Sequence, residues 1–181
     1  MTITLTRGQL IAATALLATV FLGGTAEAIT DTVFRYSSAQ IGYFTVPAAA
    51  FVSESSADQF AENGVVVQPA TINTLCMDAP VNLPEGAKVT TIGVWYATNG
   101  GIFQMQLFRQ NLATGTNVTL ARKVLADTAG SRAQANLAVT GTGQIIKNGA
   151  FSYDLNFCTQ GATANKFYSA RIRYTYSTAG S

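Results

Sequence analysis

The strongest restriction on this chain is a two-residue alternation of apolar and polar side chains in its C-terminal third. From Ala150 to Cys158, Phe151, Tyr153, Leu155 and Phe157 fall on one face, and Ser152, Asp154, Asn156 and Cys158 fall on the other. From Phe167 to Ser177, Tyr168, Ala170, Ile172, Tyr174 and Tyr176 alternate with Ser169, Arg171, Arg173 and Thr175. Successive side chains of a pleated strand point to opposite faces, so each run reads as a strand with one face on a core. Joined by the loop Gln160 to Lys166, the two are predicted to pair antiparallel, with Asp154 near Arg171 or Arg173 on one exposed face. An exposed ion pair of that kind contributes under ~1 kcal/mol, and the arginines read as solvated strand residues.

A second pair of runs lies between Leu83 and Asn111. Lys88 to Thr98 carries Val89, Ile92, Val94, Trp95 and Tyr96, β-branched and aromatic residues that suit a pleated surface. Its apolar residues fall on both faces, which suits a central strand or one covered by a second layer. Asn99-Gly100-Gly101 accepts the positive φ angles of a tight turn, and Ile102 to Arg109 resumes the alternation with Phe103, Met105 and Leu107. The pattern predicts a hairpin, with Pro84-Glu85-Gly86 as the turn before it. Asn148-Gly149 is a second hairpin signal.

The rest of the chain fits the same class. Short strands are predicted at Thr32 to Tyr36, Ile41 to Val46, Gly64 to Gln68, Ile72 to Met77, Val118 to Ala126 and Ala135 to Thr140. Ser53 to Asn63 reads as a loop or a single helical turn. About eight to ten short strands without a helix indicate an all-β chain, an antiparallel β-sandwich or jelly-roll-like fold.

The N-terminus belongs to a different category. Arg7 precedes the 13-residue apolar run Leu10 to Leu22, Gly23-Gly24 follows, and Thr25 to Ala28 offers small residues at the cleavage positions. That is the layout of a secretory signal peptide cut after Ala28, too short for the ~20 residues that span a bilayer. Residues 29–181 are then a single domain, exported by a Sec-type route to a bacterial cell surface, periplasm or medium, with no second long apolar run. In that oxidising setting Cys76 and Cys158 are expected to form a disulfide pinning two facing sheets, two free thiols being the alternative.

Composition excludes several chemistries. There is no histidine, which removes Ser-His-Asp and Cys-His catalysis, the usual base near neutral pH and the commonest metal ligand. The four mature lysines show no Ser-x-x-Lys arrangement. No Asp-x-Asp-x-Asp loop is present, and Glu54, Asp58 and Glu62 are the only clustered acids, better read as a solvated loop than a calcium site. No motif for a cofactor occurs, and Gly141-Thr-Gly143 lacks phosphate-loop spacing. A net charge of +2 with 11% charged residues is no basic stripe for nucleic acid. Glycoside hydrolysis needs two carboxylates aimed at one bond, for which Glu85 and Asp154 are the candidates. Trp95 and Tyr96 are the candidates for stacking on a sugar ring, although alternation sends at least one of them into the core. Asn117-Val118-Thr119 is a glycosylation acceptor in a host that uses it.

Val46-Pro-Ala-Ala-Ala-Phe51, Leu83-Pro-Glu-Gly-Ala-Lys-Val-Thr90 and Arg171-Ile-Arg-Tyr-Thr-Tyr176 together resemble a loose set of secreted bacterial proteins of unknown role. In these an extended N-terminal segment precedes an LPxGAxVT hairpin and a Tyr-rich last strand. The resemblance implies a secreted β-sandwich and transfers no functional site.

Three readings follow. The first is a non-catalytic exported β-sandwich acting as a surface binding or envelope-associated module, with carbohydrate contact or self-association as its partner chemistry. The second is a self-assembling filament subunit, with the extended, turn-poor region Ile29 to Val52 as a donor strand. The third is a carboxylate-dependent glycan hydrolase.

Overall fold

The computed structural model describes residues 34–179. The leader read over residues 1–28 and the first residues of the donor-strand region, 29–33, lie outside the described residues. The described chain is all-β: its only helical pieces are two single 3-10 turns, Ala48–Ala50 and Thr142–Gln144. In order the strands are β1 Phe34–Pro47, β2 Val52–Ser53, β3 Phe60–Glu62, β4 Val67–Pro69, β5 Leu75–Pro80, β6 Lys88–Ala97, β7 Ile102–Asn111, β8 Asn117–Val124, β9 Ala133–Ala138, β10 Phe151–Gln160 and β11 Lys166–Ala179.

They form two antiparallel sheets. The first runs β3-β4-β11-β6-β9, with β1 also paired to β11 on the β4 side. The second runs β2-β5-β10-β7-β8. The faces assigned by alternation hold in β10, where Tyr153, Leu155 and Phe157 are buried. Ile92, Val94, Phe167, Ala170 and Ile172 of the first sheet meet Leu75, Met77, Phe103, Met105, Leu107, Leu155 and Phe157 of the second in one core. At its centre Phe157 stacks on Phe103 and Phe167 at 5.6 and 4.7 Å, and Phe51, just after β1, closes the cluster at 5.3 Å from Phe157. Burying each such ring stabilises by roughly 1.5–3 kcal/mol.

Strand pairing departs from the expectations. β6 and β7 are not a hairpin: β6 lies between β11 and β9 in the first sheet, and β7 lies between β10 and β8 in the second. The link Thr98 to Gly101 crosses from sheet to sheet. Four extended residues reach about 13 Å, enough for the ~10 Å that separates stacked sheets, so the same turn chemistry serves either connection. Gly100 and Gly101 have φ of 80° and 70°, and a Cβ on Gly101 would run into the Gln160 carbonyl at the end of β10. The Asp127 carboxylate holds this corner by accepting N–H bonds from Gly100 and Ala129 at 3.1 and 2.9 Å.

Asn148-Gly149 is likewise a crossing and not a hairpin turn. Ile145 bridges to Lys88 beside the first sheet, and Phe151 opens β10 in the second. β10 and β11 also part company, so Asp154 and the arginines of β11 stand on opposite outer faces. The two strands predicted at the start are one, β1, interrupted by an irregularity between Arg35 and Gln40 that takes in Ser37-Ser38. β1 pairs antiparallel with β11 of its own chain from Phe34↔Ala179 to Pro47↔Ser169.

Cys76 and Cys158 are bonded. They face each other across β5 and β10, 82 residues apart in sequence, so the bridge fastens two neighbours of one sheet and not one sheet to the other.

Candidate functional site

The outer face of the first sheet carries a shallow surface trough. Alternation turns Tyr43 of β1, Arg171 and Arg173 of β11, Thr91, Gly93 and Trp95 of β6, and Gln134 and Asn136 of β9 away from the core. Their registers bring them together: Arg171 lies opposite Gly93 on one side and Thr45 on the other, Tyr43 opposite Arg173, and Gly93 opposite Asn136. Two irregularities in the β6–β11 pairing shape this face. Thr90 is an extra residue in β6, and its hydroxyl donates to the Arg173 carbonyl at 3.1 Å while accepting from Arg173 Nη1 at 3.2 Å. Tyr168 is an extra residue in β11, and the Arg132 guanidinium sits over its ring at 4.7 Å.

A row of planar groups crosses three strands. The Arg171 guanidinium lies 5.0 Å from the Tyr43 ring and 5.3 Å from the Trp95 ring, a cation held against two aromatic systems. Tyr43 is 57% exposed. Gly93 lowers the floor beside the row: a Cβ there would stand 3.4 Å from Asn136 Oδ1 and 3.5 Å from both Gln134 Nε2 and Trp95 Cη2. The result is a shallow trough of about 250 Å³ lined by Tyr43, Thr91, Gly93, Gln134, Asn136, Arg171 and Arg173. It offers amide and guanidinium donors, amide acceptors and aromatic surface, and no carboxylate.

The two aromatics proposed for stacking separate cleanly. Trp95 is on this outer face, whereas Tyr96 is 3% exposed inside the sandwich. Its hydroxyl donates to the Ala126 carbonyl at 3.2 Å and its ring stacks on Phe103, so Tyr96 is a core residue and offers nothing to a ligand.

The outer face of the second sheet carries a cluster of acids around Asn156. Asn156, 1% exposed, donates through Nδ2 to Glu54 at 2.5 Å and Asp78 at 3.0 Å, and accepts from Gln106 Nε2 at 2.7 Å. Asp58 accepts from Ser53 Oγ nearby. Burial and the neighbouring Asp78 hold the Glu54 carboxyl above its usual range, with a smaller push from Asp58. Burial and Asp78 raise Asp154 in the same way. Of the three acids clustered in sequence, Glu54 lies near Asp58 and Asp78, while Glu62 sits on β3 of the first sheet and accepts the Gly64 N–H at 3.2 Å. Among the described residues no group of three or more His, Cys, Asp or Glu is placed to hold a metal. Glu85, one of the two candidate carboxylates for hydrolysis, accepts the Asn148 N–H at 2.6 Å and ties two loops.

Sequence reading found Trp95 and passed over Tyr43, Gln134 and Asn136. It met Arg171 and Arg173 only as solvated strand residues, because nothing local connects four strands between residues 43 and 173.

No family model matches this chain, and no curated protein does. Among solved structures, the xylan-binding module CBM15 superposes with a TM-score of 0.49 at 12% identity, over 74% of this chain and 97% of that one. The C-terminal CBM6 of LamC, a marine laminarinase from Zobellia galactanivorans, does so with 0.47 at 15% identity, over 72% and 98%. Likeness at this level lends this chain none of their ligands.

Proposed function

We propose that this protein is a non-catalytic exported module that binds a polysaccharide along the outer face of its first sheet. One observation carries the reading: the open trough floored by Gly93 and lined by Tyr43, Arg171 and the Gln134 and Asn136 amides, with Trp95 beside it against Arg171. Aromatic rings cover the apolar faces of a sugar, and amides and guanidinium groups exchange hydrogen bonds with its hydroxyls. A shallow open trough accommodates a stretch of polymer passing through it, where a small free ligand would need a deeper enclosure. Export is supported by the disulfide and by the leader-like residues 1–28.

Electrophoresis of the mature protein through gels containing single polysaccharides tests this. Retardation in at least one gel is expected, with Trp95→Ala and Tyr43→Ala running as in a plain gel while keeping the wild-type circular dichroism spectrum. Free migration in every gel, or retardation indifferent to both substitutions, would overturn the reading.

A further inference from the structure

We infer that the trough selects an anionic polysaccharide, one whose units carry a carboxylate or sulfate group, and takes that group on Arg171 and Arg173. This rests on the polysaccharide reading and narrows it.

The first ground is where the charges lie. A net charge of +2 suggests a nearly neutral surface, but the trough itself carries charge of one sign. The trough contains two guanidinium groups and no carboxylate, whereas Glu54, Asp78 and Asp154 stand on the outer face of the other sheet.

The second ground is the state of the two arginines. Arg171 Cζ lies over the Tyr43 and Trp95 rings at 5.0 and 5.3 Å, and among the described residues no acceptor takes its guanidinium N–H groups. Arg173 gives one nitrogen to Thr90 Oγ1 and likewise meets no acid among the described residues. A guanidinium whose N–H groups have no acceptor is open to a planar oxyanion, which arginine recognises with two parallel hydrogen bonds. A neutral hydroxyl fills the same positions and leaves both charges uncompensated. Charge-assisted hydrogen bonds exceed neutral ones by enough to predict roughly a ten- to hundred-fold preference.

Isothermal titration of the mature protein with polygalacturonate, its fully methyl-esterified form, a sulfated glucan and a neutral glucan tests the assignment. Variants are Arg171→Gln, Arg173→Gln and, as a charge-matched control on the outer face of the second sheet, Arg122→Gln. A polyanion is expected to bind at least ten-fold tighter than the methyl ester, more weakly as salt rises. Arg171→Gln and Arg173→Gln should each remove most of that gap, and Arg122→Gln should leave it. Tight binding of the sulfated but not the carboxylated chain supports the inference and names sulfate as the anion; the reverse names carboxylate.

Equal affinity for ester and acid, unchanged in Arg171→Gln, overturns the anionic assignment and leaves the polysaccharide reading standing. A loss in Arg122→Gln equal to that in Arg171→Gln also overturns it, by showing general charge attraction. Binding to none of the four, with self-association that Arg171→Gln abolishes, overturns both and assigns the trough to the acid cluster of a second copy.

Discussion

Replacing both Cys76 and Cys158 with alanine should destabilise the protein almost entirely through its unfolded state. In the folded chain the two residues face each other on strands already paired from Leu75↔Thr159 to Pro80↔Asp154, and that ladder does not need the sulfur. In the unfolded chain the bridge closes a loop across a separation of 82 residues that contains β6 to β9. On the chain-entropy model the loss is about 4.5 kcal/mol. For a domain of this size that lowers Tm by about 10–15 °C. Urea titrations followed by circular dichroism give the decisive comparison. The variant should keep the native spectrum, lose midpoint and gain slope, because an unbridged unfolded chain exposes more surface. A Tm within about 3 °C of wild type, or a lost midpoint with an altered native spectrum, would refute this reasoning and make the bridge a determinant of the folded sheet itself.

Other consequences can be checked on the same samples. Phe157→Ala removes the ring that touches Phe51, Phe103 and Phe167 and should cost about 3–5 kcal/mol in urea unfolding. Arg109 has a buried Nε without a hydrogen-bond partner and a guanidinium 4.2 Å over Phe151. Arg109→Met should therefore leave stability unchanged or raise it by about 1 kcal/mol. The carboxyls of Glu54 and Asp154 lie above their ordinary values of 4.5 and 3.8, so their contribution is full in acid and lost as pH rises through the raised values. Tm should decline above pH 4.5 on their account, and Glu54→Gln, which keeps an acceptor for Asn156, should flatten the decline and be the more stable protein at pH 7. Asp127 acts oppositely: the Ala129 and Gly100 N–H bonds hold it down, so its contribution fades only as pH falls below 3.8.

What the sequence disclosed and what it withheld divide along a physical line. Side-chain alternation reports which way a residue faces, and so the buried set Tyr153, Leu155 and Phe157 was legible, as was the all-β class. Alternation says nothing about which strand lies alongside. Asn99-Gly100-Gly101 fits a hairpin as well as a sheet-to-sheet corner, and only the packing of Gly101 on the end of β10 distinguishes them. Irregular pairings also reset the parity. With Tyr168 inserted, Phe167 rather than Tyr168 enters the core, a shift that counting by twos does not reveal. The trough was illegible for a related reason. Its residues come from β1, β6, β9 and β11, and each is ordinary on its own strand until the registers lay them side by side.

Trp95 is the chain's only tryptophan and it stands beside the trough, so its emission reports on that surface and no other. Titrating the mature protein with soluble polysaccharides and following this emission is the most direct test of the central claim. A saturable change in intensity or wavelength with one of them, lost in Tyr43→Ala, is the predicted result. A ligand that binds by calorimetry while Trp95 emission stays flat would place the binding surface elsewhere and contradict the account.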